Sequence, residues 1–148
     1  MIHDVVIKDV TPLLNEQGGI LHMVREDETS LFSRFGELYF SITNPGVVKG
    51  WHRHGRQHNI FSCVRGTLRL ALFDGRSGSP SNGAVQVLEF GEGHHKIVRI
   101  PAGVTYGWKN IGVTPALLVN LASEKHDPAD ATRVPIDSPE VPYRWQAE

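Results

Sequence analysis

"VVKGWHRHGRQHNIF", Val47 to Phe61, sets His52, His54 and His58 within seven positions and flanks them with Lys49, Arg53 and Arg56. On a strand, side chains at i and i+2 share a face, so His52 and His54 point one way and Trp51 the other. A turn at Gly55 lets His58 join the two histidines. Such a face suits a metal site built from imidazoles, a proton-transfer site, or a polar strand surface rich in histidine.

Outward from this stretch the chain keeps the same rhythm. Fifteen glycines and nine prolines cut it into short segments, most of them alternating or rich in β-branched and aromatic residues, which predicts an all-β protein. Strands are expected over 3–8, 19–24, 36–43, 47–54, 59–66, 67–74, 84–90, 95–101, 104–110 and 115–123. Turn chemistry separates them, as in "NPG" at 44–46, "DGRSGSPSNG" at 74–83 and "PAG" at 101–103. Ten strands with short turns imply a sandwich or barrel. Only 26–36 hints at a helical turn. The stretch 124–148, with four prolines, reads as an extended C-terminal arm anchored by Tyr143 and Trp145.

Length and composition narrow the function. A chain of 148 residues with 40% hydrophobic content predicts a single domain over 1–148. Fifteen basic against sixteen acidic residues, a formal charge of -1, leave no basic face for a long nucleic acid; a small anionic ligand needs only a local cluster. Cys63 is the single cysteine, so no intramolecular disulfide is expected. The N-terminus lacks the basic-then-apolar pattern of a signal peptide, and no apolar run approaches the ~18 residues of a membrane span. A cytoplasmic protein without a membrane partner is expected.

The spacing His-x-His, a third ligand position at His58 and Gly66 resembles the first motif of the cupins, although that family carries Glu where this chain has His58. "PAGVTYGWKN" resembles the second motif at Pro101, Gly103 and Asn110, with Tyr106 at its histidine position. The pair implies a cupin jelly-roll. More narrowly, "SITNPGVVKGWH", the "DGRSGSPSNG" loop, "IPAGVTYG" and "DSPEVPYRW" together resemble the nucleotide-sugar epimerases typified by dTDP-4-dehydrorhamnose 3,5-epimerase, over nearly the whole chain.

That resemblance implies epimerisation of a nucleotide-linked 4-keto-6-deoxy sugar at C3, C5 or both, without metal or cofactor, by a homodimer that exchanges strands. It places the base on His52. The orienting carboxylate falls at Ser138, with Asp137 beside it as the candidate. Asn120 stands where the family has its proton-returning tyrosine, so Tyr106, or a water held by Asn120, is expected to return the proton. Lys49 is placed to steady an enolate oxygen or a phosphate. His54, Gln57, His58, Asn59 and Asn120 are expected substrate contacts, as are Gln17, at a family arginine position, and His22, on a strand that reaches a partner's site. Two other readings stay open: a metal-dependent cupin using His52, His54 and His58, and an inactive sugar-binding cupin.

Overall fold

The computed structural model describes residues 1–145, and the alternating segments become strands: β1 (Val6–Asp9), β2 (Leu13–Asn15), β3 (Gly18–Ile20), β4 (Glu37–Thr43), β5 (Val48–His54), β6 (Asn59–Arg65), β7 (Thr67–Asp74), β8 (Val85–Gly91), β9 (Lys96–Ile100), β10 (Val104–Asn110), β11 (Ala116–Ala122) and β12 (Ala131–Arg133). One sheet runs β1-β9-β6-β11-β4 and the other β12-β5-β10-β7-β8, with β2-β3 as a separate hairpin. The pairings are antiparallel, and the architecture is the all-β cupin-like fold. Among the described residues no helix is long and apolar enough to cross a membrane.

Leu68, Leu70 and Leu72 of β7, Val98 and Ile100 of β9, and Phe61 and Leu118 from β6 and β11 are buried between the sheets. Each such side chain contributes about 1.5–3 kcal/mol of hydrophobic free energy. Phe61 meets Tyr106 and Trp108 edge-on, at 5.4 and 5.6 Å between ring centroids, and so joins the two sheets.

Two segments differ from expectation, and the short helical turn expected within 26–36 is present only as turns. The strand expected over 19–24 ends at Ile20 and folds back on Leu13–Asn15, because Asn15 Oδ1 accepts the Gln17 N–H at 2.9 Å and closes a tight turn. The stretch 26–36 forms turns, with Leu31 and Phe32 N–H both donating to Glu28 O. Part of the C-terminal stretch is strand, since β12 pairs with β5. Beyond it, Trp51 Nε1 donates to Ile136 O at 3.2 Å and the Trp51 ring meets Tyr143 and Trp145 at 6.0 and 5.2 Å. Trp51 thus faces away from His52, as strand alternation requires, and is covered by the segment after β12.

Two local devices hold the frame. Gly50 has φ +152°, and a Cβ there would stand 2.7 Å from Gly107 Cα, so only glycine lets β5 and β10 approach this closely. In the β7–β8 connection the fully buried Asp74 carboxylate accepts hydrogen bonds from Arg76 Nε and Nη2 at 2.8 Å, the Arg76 backbone N–H at 3.1 Å, Ser79 Oγ at 2.5 Å and Ser81 Oγ at 2.6 Å. The same loop ties down the N-terminus, because Ser81 Oγ accepts the His3 N–H and Arg76 donates to His3 O.

Candidate active site

A cavity of about 410 Å³ opens between the sheets. One wall comes from β5, β10 and β12 and carries Lys49, His52, His54, Tyr106, Trp108 and Arg133. Facing it, β4 carries Glu37, Tyr39 and Ser41, and Gln57, His126, Ala131 and Thr132 complete the lining. Alternation explains the β4 wall and the His52–His54 half of β5, while Lys49 shares their face because the β5–β10 register shifts between Tyr106 and Trp108. On β5 the even positions 52 and 54 turn inward while Trp51 turns out; on β4 the residues Glu37, Tyr39 and Ser41 turn inward while Leu38, Phe40 and Ile42 stay exposed.

His52 sits at the centre of its wall. Its register partners are Tyr106 on β10 and Arg133 on β12, and its ring lies 5.6 Å from those of Tyr106 and Trp108. Burial, followed by the charges of Arg133, His54 and Lys49, pushes its imidazole down to about 4. The ring is therefore neutral near pH 7, the state a general base requires. Lys49 Nζ donates to Ser41 Oγ at 3.1 Å and to Ile42 O at 2.6 Å, spanning from β5 to β4. An ammonium has three N–H donors, so one is left for a ligand.

The expected orienting carboxylate lies elsewhere. Asp137 is exposed, beyond β12 on the side where Ile136 O meets Trp51. The chain crosses to the outer face of β5 at Val134, which packs with Trp51, and this takes Asp137 away from the cavity. The carboxylate nearest the histidines is Asp130, whose Oδ2 stands 3.7 Å from His54 Nδ1. Asp130 accepts the backbone N–H groups of Arg56 and Gln57, at 2.9 and 3.1 Å, and so pins the β5–β6 turn. Burial lowers the pKa of His54, and the Asp130 charge opposes that shift.

The third histidine is not part of the set. His58 Nδ1 meets Arg99 Nη2 at 3.1 Å, its N–H donates to Ser123 Oγ, and it does not line the cavity. Among the described residues no three His, Cys, Asp or Glu side chains are grouped so as to hold a metal ion. The donor set of the metal-dependent reading is thus not assembled, because the turn after Gly55 directs His58 outward.

Asn59 and Asn120 are buried behind the lining rather than in it. Asn59 Oδ1 accepts from Gln57 Nε2 at 2.7 Å and from Asn120 Nδ2 at 2.8 Å, and Asn59 Nδ2 donates to the Tyr106 hydroxyl at 3.3 Å. Asn120 Nδ2 also donates to the Tyr39 hydroxyl at 2.9 Å. The two amides therefore seat two phenols from behind the lining. Burial raises the pKa of both tyrosines above the ordinary phenol value, so both hydroxyls keep their protons. Gln17 and His22 are exposed and lie outside this cavity.

Tyr39, Glu37, Arg133, Asp130 and His126 were not anticipated as site residues. Tyr39 and Glu37 had a legible signal, since the alternation of "ELYFSIT" groups Glu37, Tyr39, Ser41 and Thr43 on one face. Arg133 had none, because β12 is only three residues long, and His126 had none, because it lies in the irregular segment before that strand.

The model of the dTDP-4-dehydrorhamnose 3,5-epimerase family matches residues 1–148. The chain is 34% identical over 150 residues to a probable low-salt glycan biosynthesis epimerase of Haloferax volcanii, covering 99% of this chain and 96% of that protein. The crystal structure of a dTDP sugar isomerase from Desulfovibrio desulfuricans G20 superposes with a TM-score of 0.93 at 34% identity, over 97% of this chain and 92% of that one. NovW, a 4-keto-6-deoxy sugar epimerase from Streptomyces spheroides, superposes with a TM-score of 0.88 at 25% identity, over 99% and 76% of the two chains. With the family model matched from end to end and an imidazole centred in the cavity between the sheets, the chain belongs to the dTDP-4-dehydrorhamnose 3,5-epimerase family.

Proposed function

We infer that this isomerase epimerises a dTDP-linked 4-keto-6-deoxy sugar, at C3, C5 or both, with His52 as the base. The reaction class follows from the family; the assignment to His52 is carried by one observation, a neutral imidazole at the centre of a cavity wall between Arg133 and Tyr106. A carbonyl at C4 acidifies the neighbouring C–H bonds. His52 removes a proton, the bonding pair becomes the enolate double bond, and the carbonyl pair moves to oxygen. Lys49, with one N–H uncommitted by Ser41 and Ile42, is placed to steady that oxygen. A cavity phenol returns a proton to carbon. Lys49, Arg133 and His126 around the cavity suit a nucleotide diphosphate.

The test is incubation with dTDP-4-keto-6-deoxyglucose in D₂O. Deuterium is expected at the epimerised carbon, and its position identifies the centre. Absence of exchange would favour the inactive-binder alternative.

The charges around His52 also predict a pH signature. In the free enzyme His52 is held near 4 by burial and by neighbouring positive charge, so kcat/KM is expected to fall only as pH drops through about 4. A bound diphosphate offsets those cations and raises the imidazole pKa, so the acid limb of kcat is expected on the order of 1 pH unit higher. Coincident limbs for the two parameters would remove the proposed charge interaction.

The same reading includes a cytoplasmic homodimer with residues 1–148 as one catalytic domain. Leu38, Phe40 and Ile42 are 47, 60 and 65% exposed on β4, the last strand of its sheet, and Leu13, Leu14 and Ile20 of the β2–β3 hairpin are exposed as well. An apolar, unpaired edge strand is an aggregation hazard unless covered, and a second copy would cover it. Gln17 and His22, in and just after that hairpin, are then candidates to reach the partner's cavity. Phe40→Asp combined with Ile42→Asp is expected to give a monomer by sedimentation velocity; a persisting dimer would place the interface elsewhere.

A further inference from the structure

We propose that Tyr39, seated by Asn120, is the acid that returns the proton to carbon opposite His52. This inference rests on the proposed epimerisation and specifies its second step.

Epimerisation inverts a centre, so the proton must leave from one face of the enolate and arrive on the other. Base and acid therefore belong on opposite walls. Tyr106 springs from the strand beside His52, with its ring 5.6 Å from the imidazole, and although its hydroxyl reaches Asn59 of the facing sheet at 3.3 Å, the residue is only 3% exposed and has little solvent contact through which to regain a proton. Tyr39 meets the requirement. It lies on β4 of the facing sheet and lines the same cavity.

Its hydrogen bonding fits a donor. The Tyr39 oxygen accepts from Asn120 Nδ2 at 2.9 Å, so its own O–H remains available to a ligand. Asn120 is fully buried and is itself steadied on Asn59 Oδ1 at 2.8 Å, which fixes the position of the phenol. The register pairs Tyr39 with Asn120 directly across β4 and β11. The late-strand position where a proton-returning tyrosine was expected thus holds an amide, and the phenol arrives from the adjoining strand.

The balance is simple. His52 takes the C–H proton and becomes imidazolium. The enolate pair then forms a new C–H bond to the Tyr39 proton, leaving a phenolate that Asn120 Nδ2 stabilises by its hydrogen bond. Both groups reset by exchange with water; Tyr39 is 39% exposed, so solvent reaches it.

Tyr39→Phe keeps the ring and loses only the hydroxyl; its melting temperature is expected to fall by a few degrees, because buried Asn120 loses one acceptor, and its dTDP affinity to match wild type. Inversion of dTDP-4-keto-6-deoxyglucose in D₂O is expected to fall by about 10²-fold or more. Deuterium exchange is expected to persist with retained configuration, because His52 can still remove a proton and return a deuteron to the same face. A packing role would not produce that split. Inversion by Tyr39→Phe within threefold of wild type would overturn the assignment, as would joint loss of exchange and inversion, since a donor acting second leaves the first step intact. Exchange with retention in Tyr106→Phe, with normal inversion in Tyr39→Phe, would move the role to Tyr106. Absence of exchange in wild type would instead refute the epimerase reading itself.

Discussion

His52→Asn is expected to lower turnover by about 10²–10⁴-fold, the range over which a positioned general base acts. Asparagine is polar and similar in reach, but it has no nitrogen able to take a proton. The loss should fall on kcat, with dTDP binding retained, because nucleotide affinity is assigned to Lys49, Arg133 and His126 rather than to the imidazole. Folding should be little affected: His52 is only partly buried, and the side chain that anchors this strand to the segment beyond β12 is Trp51 on the other face. Steady-state kinetics with a parallel thermal melt check the prediction. A variant retaining a tenth of wild-type turnover would remove His52 from the mechanism and turn attention to His54.

The second large effect concerns stability. Asp74→Ala is expected to destabilise the fold by about 3 kcal/mol, since it removes a fully buried carboxylate shared by several donors, while Arg76, 22% exposed and still bonded to His3 O, is partly compensated. Arg76 would lose its carboxylate, and Ser79 and Ser81 would lose their acceptor. For a chain of this size the melting temperature should drop on the order of 10 °C. The sign with pH follows from the same contacts. The hydrogen bonds from Arg76 and the two serines hold the Asp74 carboxyl well below the usual carboxylate range, so its contribution is complete above the unfolded-state pKa of about 3.9 and is lost as pH falls toward the depressed folded value. The gap between wild type and variant should stay constant from neutral pH to about pH 5 and narrow at lower pH. A constant gap down to pH 2 would show that the carboxylate charge is not what stabilises the loop.

Strand alternation and turn chemistry were enough to read most of the fold. The segments that became β4 to β11 were legible because each alternates or is rich in β-branched and aromatic residues and has a glycine- or proline-bearing boundary. β12 was not, because three residues carry no period, and its pairing with β5 is decided by tertiary contacts between Asp130, Val134 and the β5 face. The site divides in the same way. His52 could be placed because Trp51 and His52 must face opposite sides of one strand. Asp137 could not be excluded from sequence, since proximity along the chain to a tryptophan says nothing about which face of β5 the segment crosses. Tyr39 required the structure: its relation to Asn120 spans 81 positions and exists only because β4 and β11 are neighbours.

β4 also sets a frame that tolerates no insertion. Its inward set is Glu37, Tyr39, Ser41 and Thr43, and its outward set is Leu38, Phe40 and Ile42. One extra residue would rotate every position downstream of it by half a period, sending apolar side chains into the cavity and the phenol into solvent. Length variation among functional variants of this protein should therefore concentrate in the turns on either side of β4, and indels within it should be absent from any library selected for turnover.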